Sequence, residues 1–332
     1  ACTPGFNALQ FFSWIDEIKP SWYTAVPTMH QTILARAGRN REILERNPLR
    51  LIRSSSSSLP GPVMTELEEV FGAPVIESYG MTEAAHQMAS NPLPPRERRP
   101  GCVGIAAGPE VAIMAPGGEL LAHGEIGEIV IRGDNVTKGY ENNDKANTEA
   151  FTRGWFRTGD QGQMDEAGYL TLTGRLKEIY VSSAGKNIAP LVIEETMKSI
   201  PTVSQCMLIG DNRKFCSALL TLDVGAILRD VHGLDGATEV PKDPAEQLAK
   251  LAELGHDLSE YTAVGSATHN ELGEAVAKLN QKFSNPEQIK KFTVLPRDLS
   301  VDDGELTPTL KIRRKQIREN WSDVIESMYA DA

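Results

Sequence analysis

Five short segments of this chain carry side chains able to handle a phosphorylated, flat-ringed ligand. In Tyr79-Gly80-Met81-Thr82-Glu83, preceded by Ser78, an aromatic ring, hydroxyls and a carboxylate flank a glycine that lets backbone come close to a ligand. The ring can cover a flat base, and Thr82 and Glu83 offer the oxygen ligands that Mg²⁺ takes when it arrives with phosphates. In Trp155-Phe156-Arg157-Thr158-Gly159-Asp160 the carboxylate of Asp160, projecting from a tight turn, can accept hydrogen bonds from two vicinal hydroxyls such as those of a ribose. The run Arg53 to Pro60, with Ser57 and Ser58, lies between a predicted strand and a predicted helix, where hydroxyls and free backbone N–H groups can meet polar ligand atoms. Cations come from Gly174-Arg175-Leu176-Lys177-Glu178 and from Lys311, within Leu306-Thr307-Pro308-Thr309-Leu310-Lys311-Ile312-Arg313-Arg314. Each segment also has a plainer reading. The serines make a solvated turn, Thr82 caps a helix, Thr158-Gly159-Asp160 is an ordinary turn, and the basic stretches are a charged linker and a solvated face.

Apolar periodicity predicts the elements that position these groups. Helices are expected over about 6–18, 29–37, 41–46 and 63–71, alternating with strands at 22–26, 49–53 and 75–78. From Gly101 to about Leu172 the pattern changes to short strands, 110–114, 128–132 and 169–173, separated by Gly-rich turns, as in an antiparallel meander or barrel. After a boundary near 174–178 an α+β pattern follows. It has a helix at 191–199, strands at 203–210 and 217–223, a mainly helical stretch at 245–283, a strand at 292–295, an acidic loop at 302–305 and a final basic helix from about 313 to 329.

With 332 residues, 40% hydrophobic and 24% charged, the chain is long enough for two globular domains. A formal net charge of -11 argues against nucleic acid as the main partner, since phosphate-backbone affinity comes from clustered Lys and Arg. Cys2, Cys102, Cys206 and Cys216 lack ligand spacing and suggest neither a disulfide framework nor a zinc site; burial is expected for Cys206 and Cys216. No apolar run reaches the ~18 to 20 residues that span a bilayer, so an intracellular, cytoplasmic location is expected. The opening Ala1 and the loop-like Cys2-Thr3-Pro4-Gly5 point to truncation or processing, and the final Ala330-Asp331-Ala332 is not a Ser-Lys-Leu signal.

In their order, these motifs resemble those of the AMP-forming acyl-CoA synthetases of the adenylate-forming superfamily, over nearly the whole chain. The resemblance implies ATP, Mg²⁺ and coenzyme A, with a carboxylic acid as the remaining substrate. It implies that Ser57, Ser58, Ser78, Tyr79, Gly80 and Met81 line the nucleotide, that Thr82 meets the phosphate and Glu83 the magnesium, and that Asp160 holds the ribose. Arg175 would bind the nucleotide, Lys177 would be the hinge of a rotating small domain, and Lys311 would be the catalytic lysine. The loop Ser182-Ser183-Ala184-Gly185-Lys186-Asn187-Ile188 resembles the one that enters the site for thioester formation, through Ser183, Gly185 and Lys186. The implied fold is the C-terminal part of a large α/β adenylation domain with a β-barrel-like subdomain over 1–174, a hinge at 175–178, and a mobile α+β lid over 179–332 with a helical insertion at about 224–290.

The two halves of the chain point to different branches. Up to about Glu178, notably at 53–60, 82–94 and 131–140, the chain looks like oxalate and other small-acid CoA ligases, and this likeness places His86 in the acyl pocket. Beyond Tyr180, at 183–187, 209–215 and 306–311, it resembles long-chain fatty acyl-CoA ligases and fatty acid metabolism. A Thr-Ser-Gly-Thr-Thr-Gly-like phosphate loop is missing, so adenylation by this chain alone is expected to be slow or absent. The competing expectations are a catalytically inactive nucleotide- or CoA-binding fragment and a related adenylating enzyme that uses another acceptor.

Overall fold

The computed structural model describes residues 3, 5–182, 185–235, 239–241, 243–307 and 311–330. The chain divides into two compact units, Ala1–Lys177 and Glu178–Ala332.

In the first unit, strands β1 (Trp22–Ala25), β2 (Leu51–Ser55) and β3 (Val75–Tyr79) pair in parallel, β4 (Ala89–Ser90) pairs antiparallel with β3, and β5 (Ile105–Ala106) pairs antiparallel with β4. Parallel neighbours need long crossovers. Helices α1 (Phe11–Ile18), α2 (Pro27–Ala37), α3 (Arg41–Arg46) and α4 (Gly61–Phe71) fall in the segments before and between these strands. Their apolar stripes bury Phe12, Ile15, Ile33, Leu34, Met64 and Leu67 against Ile52 and Val75. The predicted helix from Phe6 is shorter than its apolar pattern. Its regular turns begin at Phe11, and Phe6 and Leu9 remain exposed.

The meander is present: β6 (Glu110–Met114), β7 (Gly127–Arg132), β9 (Trp155–Met164) and β10 (Leu170–Arg175) form an open antiparallel sheet in the order β10-β9-β7-β6, with β8 (Phe151–Thr152) added to β9. Among the described residues this sheet does not close into a barrel. One sequence expectation is corrected, since Thr158-Gly159-Asp160 is not a tight turn between strands but part of the ten-residue β9. A short helix, α5 (Asp144–Ala150), is capped by the Asn143 side chain and leads into β8.

In the second unit a hairpin of β11 (Tyr180–Val181) and β12 (Asn187–Ile188) precedes α6 (Pro190–Met197). Strands β13 (Val203–Ile209) and β14 (Cys216–Leu222) pair antiparallel, and β15 (Ile289–Val294) joins β14 in parallel. Both faces of this sheet are covered, which explains its near-continuous apolar strands. Cys206, Leu208, Ala218 and Leu220 pack into one cluster with Ile193 and Leu272, while Met207, Ile209 and Leu219 pack into the other with Ile317 and Ile325. The helical stretch is three helices, α7 (Pro244–Glu253), α8 (Ser259–Thr262) and α9 (Ala267–Asn280), and the final helix is two, α10 (Arg314–Asn320) and α11 (Ser322–Ser327). Cys102, Cys206 and Cys216 are free and buried. Among the described residues no helix is long and apolar enough to cross a membrane.

Candidate functional site

The serine run and the Tyr79 segment both leave from the carboxyl ends of adjacent parallel strands, since Ser55 of β2 pairs with Ser78 of β3. Such ends are where open α/β sheets place ligands. Ser57 and Ser58 are exposed there, beyond Ser56, whose φ is 76°. Ser78 differs from the expectation that it faces a ligand: it is buried, and its hydroxyl donates to the Ser54 carbonyl at 3.3 Å.

Asp160 owes its position to an irregularity of β9. On β7, Glu128 pairs with Gln161 and Val130 with Arg157, so two steps along β7 face four along β9. The surplus sits at 158–160, where Gly159 takes a φ of 73° that a side chain would disfavour. This bulge turns Asp160 toward β3. The Tyr79 hydroxyl donates to Asp160 Oδ2 at 2.5 Å, and Arg175 Nε, opposite on β10, lies 3.3 Å from Oδ1. Asp160 is buried, whereas Arg175 is 65% exposed, so their attraction is screened by water. Burial, reinforced by the Asp160 charge, holds the Tyr79 phenol well above its usual pKa and keeps it a donor. The Tyr79 ring lies in a cluster with Met88, Ile129 and Phe156, a more enclosed setting than an open platform for a base.

The Thr82–Glu83 segment is a single 3-10 turn with Thr82 exposed and Glu83 half-buried. The sequence suggests that Gly80 makes room for a ligand. The structure gives another reason: a Cβ there would lie 2.0 Å from the His86 carbonyl oxygen and 2.5 Å from its carbon. The chain folds back on itself at this point, with Ala85 and His86 at φ 49° and 69°, His86 N–H on the Met81 carbonyl and Met88 N–H on the Tyr79 carbonyl. The His86 side chain is exposed.

For magnesium, one carboxylate beside a hydroxyl is a thin donor set. Among the described residues no group of three or more His, Cys, Asp or Glu comes together as a metal cluster. A cation that keeps its waters and arrives with phosphates needs only one or two carboxylates, so Glu83 and Thr82 fit Mg²⁺ carried by a nucleotide and not a resident metal.

Three groups hold these residues in place; only the 133–140 loop stands out in the sequence, as part of a family likeness, and none stands out as a brace. The carboxylate of Glu128, buried on β7, accepts from the Gly159 N–H at 3.0 Å and from Arg157 Nε at 2.7 Å, pinning the bulge. The 133–140 loop braces the Glu83 turn through three residues. Asn135 Nδ2 donates to the carbonyls of Ala84 at 2.9 Å and Gln87 at 3.1 Å, Thr137 N–H reaches the Glu83 carbonyl at 2.7 Å, and the Tyr140 hydroxyl donates to Glu83 Oε1 at 3.0 Å. The buried Glu77 accepts from Leu59 N–H at 3.5 Å and Gly101 N–H at 3.0 Å, and burial pushes its carboxyl up to about 7. For Glu128 and Glu77 the sequence signal is a polar residue at an apolar strand position.

Lys177 is exposed in a 3-10 turn, Leu176–Glu178, at the end of the first unit. In the second unit, Ser182 N–H pairs with the Lys186 carbonyl at 2.9 Å and Gly185 N–H with the Ser182 carbonyl at 2.8 Å, which closes the β11–β12 hairpin around Gly185 at φ 77°. Lys186 Nζ contacts the Ser284 hydroxyl and lies 3.5 Å from Glu287, so its charge is already engaged. Ser183 lies outside the described residues. Lys311 is exposed; its N–H donates to Thr307 Oγ1 at 3.0 Å and its carbonyl accepts from Thr307 N–H at 2.8 Å. Pro308, Thr309 and Leu310 lie outside the described residues.

The family described as AMP-binding enzyme matches residues 1–141. That stretch belongs to the family. Among curated relatives, the oxalate–CoA ligase of Arabidopsis thaliana is 47% identical over 206 residues, covering 62% of this chain and 40% of the relative. A long-chain-fatty-acid–CoA ligase of Mycobacterium bovis is 36% identical over 258 residues, covering 78% of this chain and 38% of the relative. Among solved structures, O-succinylbenzoate coenzyme A synthetase from Bacillus subtilis, in complex with ATP and magnesium, superposes with a TM-score of 0.67 at 24% identity, covering 94% of this chain and 54% of that one. This likeness is one of fold. The chain spans about two fifths of the length of the curated relatives it matches.

Proposed function

We propose that this chain carries part of an ATP-dependent acid–thiol ligase, which forms an acyl-adenylate from a carboxylic acid and ATP and then an acyl-CoA thioester. The observation that carries the reading is the buried Asp160 carboxylate, fixed by the Tyr79 hydroxyl on one oxygen and faced by Arg175 on the other. A preorganised acceptor on a strand bulge suits the vicinal hydroxyls of a ribose, and the chain's relatives are named CoA ligases.

In this reading Ser57, Ser58, Gly80 and Met81 border the nucleotide, Asp160 orients its ribose and Arg175 neutralises its charge. Glu83 and Thr82 would hold the magnesium that comes with ATP, and the ion would supply charge neutralisation on the phosphates. Tyr140 keeps one Glu83 oxygen engaged and so fixes the direction of the other. When the substrate carboxylate attacks the α-phosphate, negative charge gathers there and the Lys311 ammonium offsets it. Lys177 acts as the pivot that exchanges Lys311 for the hairpin carrying Gly185 and Lys186 before thiol attack, so one site serves two transition states. His86 borders the acyl group. The acidic net charge supports a small-molecule rather than a nucleic-acid role in the cytoplasm.

Two assays test this. Pyrophosphate release from ATP with a panel of carboxylic acids, with and without CoA, reports the two steps; a product that needs the thiol excludes another acceptor. Calorimetry of the chain with ATP and Mg²⁺ is expected to give weak binding at best. Measurable nucleotide affinity without pyrophosphate release would favour the second reading, a nucleotide- or CoA-binding fragment without catalysis.

A further inference from the structure

Six residues before Lys311, the side chain of Glu305 has no exposed surface. A bare carboxylate does not persist in such surroundings, and this one is fully paired. Arg297 grips it with two nitrogens, at 2.7 Å on Oε2 and 3.0 Å on Oε1. Oε1 also accepts from Trp321 Nε1 at 2.8 Å and Asn320 Nδ2 at 3.1 Å, and Oε2 accepts from Ser300 N–H at 3.2 Å. The donors come from both sides of the Lys311 segment: Arg297 and Ser300 follow β15, while Asn320 and Trp321 lie where α10 meets α11.

The backbone extends this anchor toward Lys311. Arg313 N–H donates to the Glu305 carbonyl at 2.7 Å, Leu306 bridges Ile312, and Thr307 pairs with Lys311 through the two bonds described above. Residues 305–307 and 311–313 are thus the two arms of a short antiparallel pinch. Glu305 stands at its base and Lys311 stands at the far end of the returning arm.

We infer that Glu305 is a positioning residue for Lys311, clamping the base of the pinch so that the ammonium is carried at a fixed place on the second unit. This rests on the reading of Lys311 as the amine that assists adenylate formation, and Glu305 itself touches no reacting atom. A residue that merely stabilised the unit would affect every segment and both half-reactions alike.

Glu305→Gln separates the two roles. Hydrogen exchange of the chain, read on peptides, is expected to quicken about tenfold over 305–313 while 216–222 of β14 changes less than about twofold. Equal acceleration of both, or of neither, overturns the inference. Should that variant fold poorly by circular dichroism, Trp321→Phe removes one donor and is expected to show the same pattern at smaller amplitude. Where turnover is measured, Glu305→Gln should lower adenylate formation about tenfold at unchanged KM for ATP and leave thioester formation from supplied acyl-adenylate within about twofold. A drop in both steps would overturn it as well. If Lys311→Ala leaves adenylate formation intact, the role of Lys311 fails while the exchange result still judges the clamp.

Discussion

Glu77 and Glu305 are both buried carboxylates just ahead of a candidate functional segment, yet their carboxyls shift in opposite directions. Among the described residues Glu77 meets only two backbone N–H groups, and its carboxyl rises to about 7. At Glu305 burial also acts upward, but the hydrogen bonds from Arg297, Asn320 and Trp321 outweigh it and hold the carboxyl below its ordinary value. Desolvation wins unless a cation shares the site. The first unit thus keeps a group near neutrality beside the Tyr79 segment, and the second keeps a committed anion beside the Lys311 segment.

The most severe way to break the paired type is to strand a carboxylate. Glu194 is buried and accepts from Arg314 at 2.5 Å on each oxygen, with Leu208 N–H at 2.7 Å; Arg314 itself is mostly buried. Arg314→Met should cost about 3–5 kcal/mol in urea unfolding at pH 7. For Glu77 the folded carboxyl is raised above its unfolded value of 4.5, so its contribution is full below that value and is lost as pH climbs through about 7. Glu77→Gln should therefore flatten the stability profile between pH 5 and 8, removing a decline of about 3 kcal/mol. An unchanged slope in the variant would assign the decline elsewhere. Arg297→Met turns the Glu305 setting into one like that of Glu77. The wild-type contribution of Glu305 is present above about 4.5 and fades as pH falls below it, and the variant should lose about 2 kcal/mol at pH 7, with the loss shrinking in acid. The smallest effect is expected at Asp160, whose paired donor is a neutral phenol: Tyr79→Phe should cost about 1.5 kcal/mol in thermal melts and weaken any nucleotide binding of the chain.

Local periodicity made most elements legible. The α3 and β6 ranges agree with the pattern to the residue, because amphipathic spacing and flanking breakers coincide there. The β9 strand was hidden, since Thr158-Gly159-Asp160 reads as a turn whenever its partner strands are unseen; only pairing with β7 shows it to be a bulge. Tyr79, Asp160 and Arg175 stood out as types, but their meeting depends on contacts 81 and 15 residues apart in the chain that no local pattern encodes. The bracing contacts of Glu128, Asn135 and Tyr140 are equally non-local: Asn135 and Tyr140 lie in the 131–140 stretch that carries the family likeness, but no local pattern shows that they reach the Glu83 turn. At Gly80 the structure adds a cause that the sequence does not show, because a close approach of backbone to backbone leaves the same mark in a sequence as a close approach to a ligand.

The Arg314–Glu194 pair joins positions 120 residues apart. A stop codon or a protease cut ahead of Arg314 would remove the only guanidinium facing Glu194 among the described residues and leave an anion sealed among apolar neighbours. Shortening this polypeptide from its carboxyl end should therefore not trim a dispensable tail; it should collapse the whole second unit, and clones ending before that arginine should accumulate as insoluble protein.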